Sequence, residues 1–362
     1  MKRVFWLAGD PSGDLHASIV IEELEKRNPE MYNYGVGGPL MQKAGFRSIF
    51  SFSRFNVMGF WEVIKHLRFF YKTEKQIAKM LTVKKPDLVV LVDYPGFNMR
   101  IAKIANELLI PIIWYIAPQF WAWKHKRVYK LEEYCEFVAT IHKFEKNLLD
   151  MHNLKSEFVG NPIVEEIKID ISRKKFAKIF ELDVDKKWIG FMPGSRQMEI
   201  DKMLPTFIKT IEEYDTVNYQ FLISKSRSVN HKLFMDKIDN SKAKIFVIDG
   251  HNYEMMKYSQ FLIITSGTAT LEAAYLQTPL MIVYKTSMLS YAIGKRLVRI
   301  KNIGLPNIIS EREIVPELLQ EEVNPQNIKS KIDYYLENAG AMREMKENLV
   351  EIKELVSDLK PS

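Results

Sequence analysis

Short apolar runs rich in Val, Ile, Phe and Tyr alternate along the chain with longer stretches of helical periodicity. Continuous apolar runs, rather than strict alternation of apolar and polar residues, are typical of parallel strands that are buried on both faces of a sheet. Strands are predicted at residues 4–8, 87–94, 110–117, 137–141, 158–161, 188–192, 219–224, 244–248, 261–265 and 280–284. The alternation of strands and helices predicts an α/β protein with two Rossmann-like, doubly wound parallel sheets.

The two series of strands are separated near Pro162, and the lysine-rich stretch 163–180 is predicted to be a linking helix. We therefore expect an N-terminal domain of residues 1–162 and a C-terminal domain of residues 163–344. The amphipathic helix at about 345–362 is expected to return to the N-terminal domain. Ligands of such sheets lie beyond the carboxyl ends of the strands, so the loops there, facing a cleft between the domains, are the expected site of chemistry.

Composition narrows the class of protein. The 362 residues carry 52 lysines and arginines against 45 aspartates and glutamates, a net charge of +7. The lysines are spread along helices, with no arginine-rich arm and no nucleic-acid motif, so a phosphorylated ligand or an anionic membrane is expected rather than nucleic acid. The single cysteine, Cys135, fits a reducing compartment and a buried apolar role. No apolar run approaches the roughly 20 residues that span a bilayer, and no metal site is expected because the histidines lack metal-binding spacing.

Two loops after strands of the N-terminal half carry candidate chemistry. Gly-Asp-Pro-Ser-Gly-Asp at 9–14 follows the first strand, and Ser12 can cap a helix whose N-terminus attracts anions. A tight turn and a ligand loop explain it equally well. Asp93 ends an apolar strand and is followed by Tyr-Pro-Gly-Phe-Asn. A partly desolvated aspartate with a raised pKa can take a proton from an attacking hydroxyl, whereas an aspartate that caps the next turn is the more common case.

Two loops of the C-terminal half suit phosphate. Pro-Gly-Ser-Arg at 193–196 offers backbone amides at Gly194 and Ser195 beside the Arg196 fork, although a solvated surface turn also explains it. At 266–272 a strand ends and a helix opens on Ser-Gly-Thr, where hydroxyls and free amides form an anion site. Glu272 can accept hydrogen bonds from a ribose diol, or it belongs to a helix cap without a ligand. The segments 304–307 and 317–320 are by themselves only a turn and a piece of helix.

The helical stretch 60–72 has an apolar stripe that a core-facing helix explains, formed by Phe60, Val63, Ile64, Leu67, Phe70 and Tyr71. Trp61 and Phe69 fall off that stripe, and Trp61 shares its side with Lys65, Arg68 and Lys72. Aromatic residues beside cations suit a membrane interface, while single exposed aromatics also occur by chance.

Taken together and in order, these segments resemble one family, the lipid-A-disaccharide synthases, which are nucleotide-sugar glycosyltransferases of GT-B architecture. Each segment is short, but their order along nearly the whole chain is specific. The matching segments lie at 8–14, 35–41, 57–59, 93–98, 121–127, 144–146, 193–196, 266–272, 305–307 and 317–320.

The resemblance implies a reaction without a cofactor. UDP-2,3-diacylglucosamine donates its sugar, with inversion, to 2,3-diacylglucosamine 1-phosphate, giving lipid A disaccharide 1-phosphate and UDP. The resemblance assigns the general base to Asp93, and UDP-side positions to Gly194, Ser195, Arg196, Ser266, Gly267, Thr268, Glu272, Asn307 and Gln320. It also marks residues of the acceptor or cleft loops at Ser12, Gly13, Asp14, Met58 and Asn98.

Because both substrates carry acyl chains, the resemblance also implies a cytoplasmic protein that is peripheral on the inner face of the cytoplasmic membrane. The anionic membrane surface is expected to meet Trp61, Lys65, Arg68, Phe69 and Lys72. A monomer and a homo-oligomer both fit the sequence.

The chain departs from the family pattern in three places. Asp10 stands where glutamate is usual, Gly96 where an acidic residue is frequent, and Asn161 where Gly-His-Pro is common. Two rival functions follow. One is another membrane-associated GT-B transferase, such as the UDP-N-acetylglucosamine transferase of peptidoglycan synthesis, whose glycine-rich first loop is patterned differently. The other is an inactive sugar-nucleotide binder, against which the intact Asp93 and Arg196 argue.

Overall fold

A computed structural model describes residues 2–55, 60–121, 126–214, 217–226, 229–286 and 301–359; the side chains of Ser53 and of residues 60–67 are outside the description. The chain forms two compact units. The first comprises Met1–Pro162 together with Leu359–Ser362, and the second comprises Ile163–Asp358. The division falls after Pro162, where the sequence predicts the domain boundary.

The first unit is built on a seven-stranded sheet in the order β3-β2-β1-β4-β5-β6-β7, and all described neighbours in it pair parallel. Its strands are β1 Arg3–Ala8, β2 Tyr32–Val36, β3 Arg47–Ser48, β4 Leu88–Val92, β5 Ile112–Tyr115, β6 Phe137–Thr140 and β7 Ser156–Phe158. Its helices are α1 Pro11–Arg27, α2 Pro39–Lys43, α3 Phe60–Lys84, α4 Pro95–Glu107, α5 Arg127–Tyr134 and α6 Lys143–Leu149, with a 3₁₀ turn at Phe52–Arg54.

The second unit contains a six-stranded sheet in the order β10-β9-β8-β11-β12-β13, again with parallel pairing. Its strands are β8 Lys187–Met192, β9 Tyr219–Lys225, β10 Ile245–Asp249, β11 Phe261–Thr265, β12 Leu280–Tyr284 and β13 Glu317–Leu319. Its helices are α7 Ile163–Glu166, α8 Arg173–Ile179, α9 Gln197–Glu212, α10 His231–Asp239, α11 Asn252–Tyr258, α12 Thr268–Tyr275, α13 Leu305–Ile309, α14 Pro325–Glu337 and α15 Ala339–Ser357, with a 3₁₀ turn at Gln320–Glu322.

Both faces of each sheet are covered, which explains the continuous apolar strands; in the second unit, consecutive residues of β8 and β11 are buried. In β1, Phe5 and Leu7 belong to one buried cluster, whereas Val4 and Trp6 belong to another. Since alternate side chains of a strand point to opposite faces, both faces of β1 are covered. The prediction of two Rossmann-like parallel sheets is confirmed.

The structure corrects several predicted elements. The stretch predicted as one helix at 163–180 contains two short helices, α7 and α8. The segment 317–320 contributes the edge strand β13 rather than a piece of helix. The prediction that the C-terminal helix returns to the N-terminal domain is wrong for α15, because its apolar stripe lies in the core of the second unit through Met345, Leu349, Ile352 and Val356.

In the described part of the chain, none of the helices has an apolar stretch that would span a lipid bilayer.

Candidate active site

The first part of the candidate site lies where β1 and β4 end. Ala8 of β1 pairs with Val92 of β4, so the loops after these strands leave the sheet side by side. Asp10 follows the first strand and Asp93 follows the second. The register therefore brings two carboxylates to one edge of the sheet, as expected for a ligand site in a parallel α/β sheet.

The backbone at Asp93 is strained. Asp93 and Tyr94 have φ angles of 39° and 44°, in the left-handed region that non-glycine residues avoid, at a cost of order 1–3 kcal/mol each. The Asp93 amide donates to the carbonyl of Tyr115 at 3.0 Å, and the Tyr94 hydroxyl donates to the carbonyl of Phe55 at 2.9 Å. A Cβ atom at Gly9 would lie 2.5 Å from the Tyr94 ring, so only glycine permits this packing. Such strain concentrates at functional sites.

The electrostatics at Asp93 suit proton transfer. The pKa of Asp93 is raised to about 7, first by burial and then by the negative charge of Asp10, while His16 and Arg127 act in the opposite direction. A carboxylate with a pKa near 7 is a better proton acceptor than an ordinary aspartate. The geometry and the charge distribution thus agree with the role of base that the sequence predicts for Asp93.

The loop at 9–14 is ordered by its own side chains. Asp10 caps α1 by accepting a hydrogen bond from the Gly13 amide at 2.7 Å. Ser12 lies on the exposed side, where its hydroxyl is 2.9 Å from Nε2 of His16. The predicted site residues Ser12 and Gly13 therefore belong to the same edge of the sheet as Asp93.

The side chain of Asp14 is hydrogen-bonded within the fold. It is buried, and its carboxylate accepts from the amides of Gly38 at 2.8 Å, Leu40 at 3.1 Å and Met41 at 3.0 Å. These amides form the start of α2, where unpaired N–H groups attract a negative charge. Asp14 is thus engaged in the fold, and the expectation that it meets the acceptor sugar is not supported.

Asn98 is also fully buried, with its amide group directed at carbonyls at the ends of β1 and β4. Its burial and these bonds do not support the predicted contact of Asn98 with an acceptor. The predicted residue Met58 lies outside the described residues.

Glu145 is a buried carboxyl that the sequence analysis did not single out as a site residue. Its Oε1 accepts a hydrogen bond of 3.0 Å from Nε1 of Trp121, and burial raises its pKa to about 8. Its Oε2 has no hydrogen-bond partner among the described residues. The charge of Asp93 contributes to the raised pKa of Glu145, which associates it with the same edge of the sheet. Its only sequence signal is its position in a family-matched segment.

The second unit contains a pocket of about 1030 Å³ at the carboxyl ends of its central strands. The pocket brings together seven of the nine UDP-side residues that the sequence predicts. These are Gly194, Ser195, Arg196, Ser266, Gly267, Thr268 and Glu272.

The loop before α9 is held by Glu199. Gly194 has a φ of 107°, and the amides of Ser195 and Arg196 donate to Oε2 of Glu199 at 3.1 and 3.2 Å. The Arg196 guanidinium also pairs with Oε1 of Glu199 at 3.1 Å, while its side chain stays exposed. The sequence predicts that the Ser195 amide binds a diphosphate. In the structure this amide instead donates to the Glu199 carboxylate. The Arg196 guanidinium is exposed and lines the pocket, so it can meet a diphosphate.

The start of α12 opens on the same pocket. Ser266, Gly267 and Thr268 line it, and the N-terminus of a helix carries a partial positive charge. Glu272 lies one turn further along, and burial, followed by the charge of Glu166, raises its pKa to about 7. The helix start can bind an anion, and the Glu272 carboxyl can bind hydroxyl groups.

Other charged groups in this pocket were not predicted from the sequence. Lys225 is buried and pairs with the exposed Asp249 at 2.5 Å, and both line the pocket. Lys225 is the last residue of β9 and Asp249 the last residue of β10. Both therefore lie at the carboxyl edge of the sheet, where ligands bind.

Asn307 and Gln320 are not among the pocket-lining residues. The Asn307 amide donates to the carbonyl of Val315 and to Oε1 of Glu317, both at 2.8 Å. Its carbonyl accepts from the amides of Ile314 and Val315 at 2.8 and 3.0 Å. This uses its full hydrogen-bonding capacity, so the predicted contact of Asn307 with UDP is not supported. Gln320 accepts from the Thr286 amide through Oε1 at 3.3 Å.

The predicted membrane-facing residues are only partly described. The side chains of Trp61 and Lys65 lie outside the description, whereas Arg68 and Lys72 are exposed. Phe69 is partly buried, and its ring lies 5.3 Å from that of Phe55, so its assignment as an off-core membrane contact is corrected.

Tyr71, which the sequence places on the core-facing stripe, is instead 55% exposed. Around residues 69–71 of α3, the side of the helix that faces the core therefore includes Phe69 and not Tyr71. No group of His, Cys, Asp and Glu residues in the described part of the chain is arranged to hold a metal ion.

Two parallel α/β units of this kind define a protein of the GT-B class. UDP-GlcNAc 2-epimerase from Neisseria meningitidis bound to UDP-GlcNAc has this fold, with a TM-score of 0.63 at 16% identity over 99% of this chain and 98% of that one. CalG4, the calicheamicin glycosyltransferase, matches with a TM-score of 0.62 at 11% identity over 99% and 94%. Similarity at this level of identity establishes the fold alone.

The chain belongs to the lipid-A-disaccharide synthetase family, whose model matches residues 4–360. Lipid-A-disaccharide synthase from Geobacter metallireducens is 32% identical over 357 residues, which cover 98% of this chain and 92% of that protein. Lipid-A-disaccharide synthase 1 from Legionella pneumophila strain Paris is 33% identical over 359 residues, covering 98% and 94%. The resemblance read from the sequence is therefore confirmed.

Proposed function

We propose that this chain is an inverting hexosyltransferase of lipid A biosynthesis. It transfers the sugar of UDP-2,3-diacylglucosamine to 2,3-diacylglucosamine 1-phosphate, and it releases lipid A disaccharide 1-phosphate and UDP. Family membership supports the identity of the two substrates. The observation that carries the mechanism is Asp93, a carboxyl with a pKa of about 7 at a strained strand end.

In the proposed step, the 6-hydroxyl oxygen of the acceptor attacks the anomeric carbon of the α-linked donor from the face opposite UDP. Asp93 takes the hydroxyl proton as the new carbon–oxygen bond forms. The bond from the anomeric carbon to the diphosphate breaks, and UDP leaves with the electron pair. One displacement inverts the anomeric centre and gives the β-1,6 linkage. General base catalysis of this kind typically contributes about 10²–10⁴ in rate.

The donor side of the proposal rests on the pocket of the second unit. The Arg196 guanidinium and the start of α12 lie on its lining and can neutralise the charge that develops on the leaving diphosphate. Glu272 is suited to accept hydrogen bonds from the ribose hydroxyls. These groups supply the charge stabilisation that the leaving group needs, so the proposed reaction uses no cofactor.

We propose a cytoplasmic location on the inner face of the cytoplasmic membrane, because both proposed substrates carry acyl chains. The exposed cations Arg68 and Lys72 of α3 support attraction to an anionic lipid surface. Trp61 and Lys65 remain predicted contacts of the same helix.

The decisive test is Asp93→Asn, which keeps the size of the side chain and removes the proton acceptor. With both acylated substrates, turnover should fall by about 10²–10⁴, while calorimetry shows UDP affinity close to wild type. Asp150→Asn is the matched control, since Asp150 is a surface residue of the same unit paired with Lys146, and it should keep wild-type turnover. Near wild-type turnover in Asp93→Asn, or no disaccharide by mass spectrometry from the wild-type protein, would overturn the proposal.

A further inference from the structure

Asn98 lies in the first turn of α4, the helix that begins after the strained residues Asp93 and Tyr94. Its side chain is fully buried. Nδ2 donates to the carbonyl of Asp93 at 2.8 Å and of Val92 at 3.1 Å, and it lies 3.4 Å from the carbonyl of Leu7. One amide group therefore binds the ends of two neighbouring strands together.

The three carbonyls lie at or next to the ends of β1 and β4, where β4 passes into the strained turn. Asp93 and Tyr94 both have left-handed backbones, and such a conformation persists only where its surroundings fix it. The Asp93 amide is already held by the carbonyl of Tyr115 at 3.0 Å. The Asn98 amide donates to the Asp93 carbonyl, so the peptide groups on both sides of Asp93 are hydrogen-bonded. These two bonds fix the backbone at Asp93 and therefore the direction of its Cα–Cβ bond.

Only the donor half of the Asn98 amide is engaged. Oδ1 is buried and has no hydrogen-bond partner among the described residues. A side chain chosen for packing alone would be apolar here, because a buried carbonyl oxygen without a partner is unfavourable. The arrangement is explained if the side chain is needed for the hydrogens that it donates to the Asp93 turn.

We propose that Asn98 is a positioning residue for the general base: its side-chain amide holds the Asp93 turn so that the carboxylate points at the acceptor hydroxyl. This inference rests on the proposed function of Asp93. Asn98 itself touches no substrate, and its effect on the reaction passes entirely through Asp93. A misplacement of about 1 Å at a reacting group can cost on the order of 10² in rate.

The test is a double-mutant cycle on turnover between Asn98→Ala and Asp93→Asn. Asn98→Ala alone should lower kcat by on the order of 10²-fold with little change in KM for the donor. In the Asp93→Asn background, the same alanine substitution should lower kcat by less than about threefold, because the group that it positions no longer acts as a base. All rates are normalised to the folded fraction of the first unit, measured by hydrogen–deuterium exchange of peptides from β1 and β4.

Asn98→Leu provides a second variant of similar size, which removes both donor hydrogens and adds no ionisable group beside Asp93. It should reproduce the loss and the non-additivity if the alanine variant does not fold. Asn33→Ala is the matched control, since Asn33 is a buried asparagine of the same sheet that accepts from Trp6 Nε1 at 2.9 Å, and it should keep wild-type kcat per folded molecule.

Additive losses in the cycle, or wild-type kcat in both Asn98 variants, would overturn the positioning role. Wild-type turnover in Asp93→Asn alone would instead overturn the proposed function, so the two failures are distinguishable.

Discussion

The indole Nε1 of Trp121 donates a 3.0 Å hydrogen bond to Oε1 of Glu145, a carboxyl that is 1% exposed. Burial raises the pKa of Glu145 to about 8 from its ordinary value of 4.5. Between these values the folded protein keeps a proton that the unfolded chain has released. The free energy of unfolding therefore falls as the pH rises through this window, and the contribution is fully present only below the unfolded pKa.

Glu145→Gln removes this dependence, because glutamine still accepts from Trp121 and does not ionise. The stability of the variant relative to wild type should increase between about pH 5 and pH 8, by up to about 1.4 kcal/mol per pH unit. Urea unfolding at several pH values measures the difference. Glu157→Gln, at an exposed position of the same unit, should follow the wild type throughout. A constant offset between Glu145→Gln and wild type would contradict the raised pKa.

The second prediction concerns the pH dependence of turnover. Asp93 must be ionised to accept a proton, so kcat/KM should rise with pH and level off above its pKa of about 7. Asp10→Asn keeps a competent helix cap and removes the charge that, after burial, raises the pKa of Asp93. The inflection should then move to lower pH, whereas Asp150→Asn should leave it in place. An unmoved inflection in Asp10→Asn would show that the two carboxylates are not coupled.

Local pattern was enough to predict the central strands. β11 and β12 coincide with the predicted runs at 261–265 and 280–284, because they are apolar at nearly every position. β2 was missed because Asn33 and Gly35 interrupt its apolar run. The Asn33 side chain is satisfied by Trp6 of β1, a partner distant in sequence that a local pattern does not show.

The sequence could predict those site residues that lie in loops directly after predicted strands. Asp93 and the start of α12 were found because parallel strands present their carboxyl ends at one edge of the sheet. Asp14 and Asn307 also lie in family-matched segments and were predicted as site residues. In the fold, however, both side chains form hydrogen bonds with neighbouring protein groups. Glu145 was not predicted as a site residue because its burial and its hydrogen bond to Trp121 arise only from tertiary packing.

The third prediction distinguishes the effects of the Arg196 guanidinium and the Glu199 carboxylate on UDP affinity. Arg196→Ala should weaken UDP binding by about 1.5–3 kcal/mol, the value of a charge-assisted hydrogen bond. Glu199→Gln should instead strengthen it, since glutamine still caps the helix but no longer competes for the guanidinium. Calorimetry measures both, with Arg343→Ala of α15 as an exposed arginine control. Unchanged UDP affinity in Arg196→Ala would remove this side chain from the donor site.

The fourth prediction concerns the membrane face of α3. Arg68 and Lys72 are exposed one helical turn apart, and each cation near an anionic surface contributes about 1 kcal/mol. Arg68→Glu with Lys72→Glu removes about 2 kcal/mol of attraction, which is on the order of thirtyfold in partitioning. Sedimentation with phosphatidylglycerol vesicles should fall by at least this factor, and turnover on vesicle-embedded substrates should fall with it. Turnover on detergent-dispersed substrates and UDP affinity should stay at wild-type values.

A matched charge reversal decides whether α3 itself is the contact. Lys174→Glu with Lys178→Glu changes the net charge by the same amount at exposed positions one turn apart on α8 of the second unit. If attraction to the bilayer came from net charge alone, both double variants would lose sedimentation equally. If α3 is the membrane face, the α8 variant should keep more sedimentation than the α3 variant, because the attraction acts mainly on the charges nearest the lipid surface. Wild-type sedimentation of the α3 variant would place the membrane contact elsewhere on the protein.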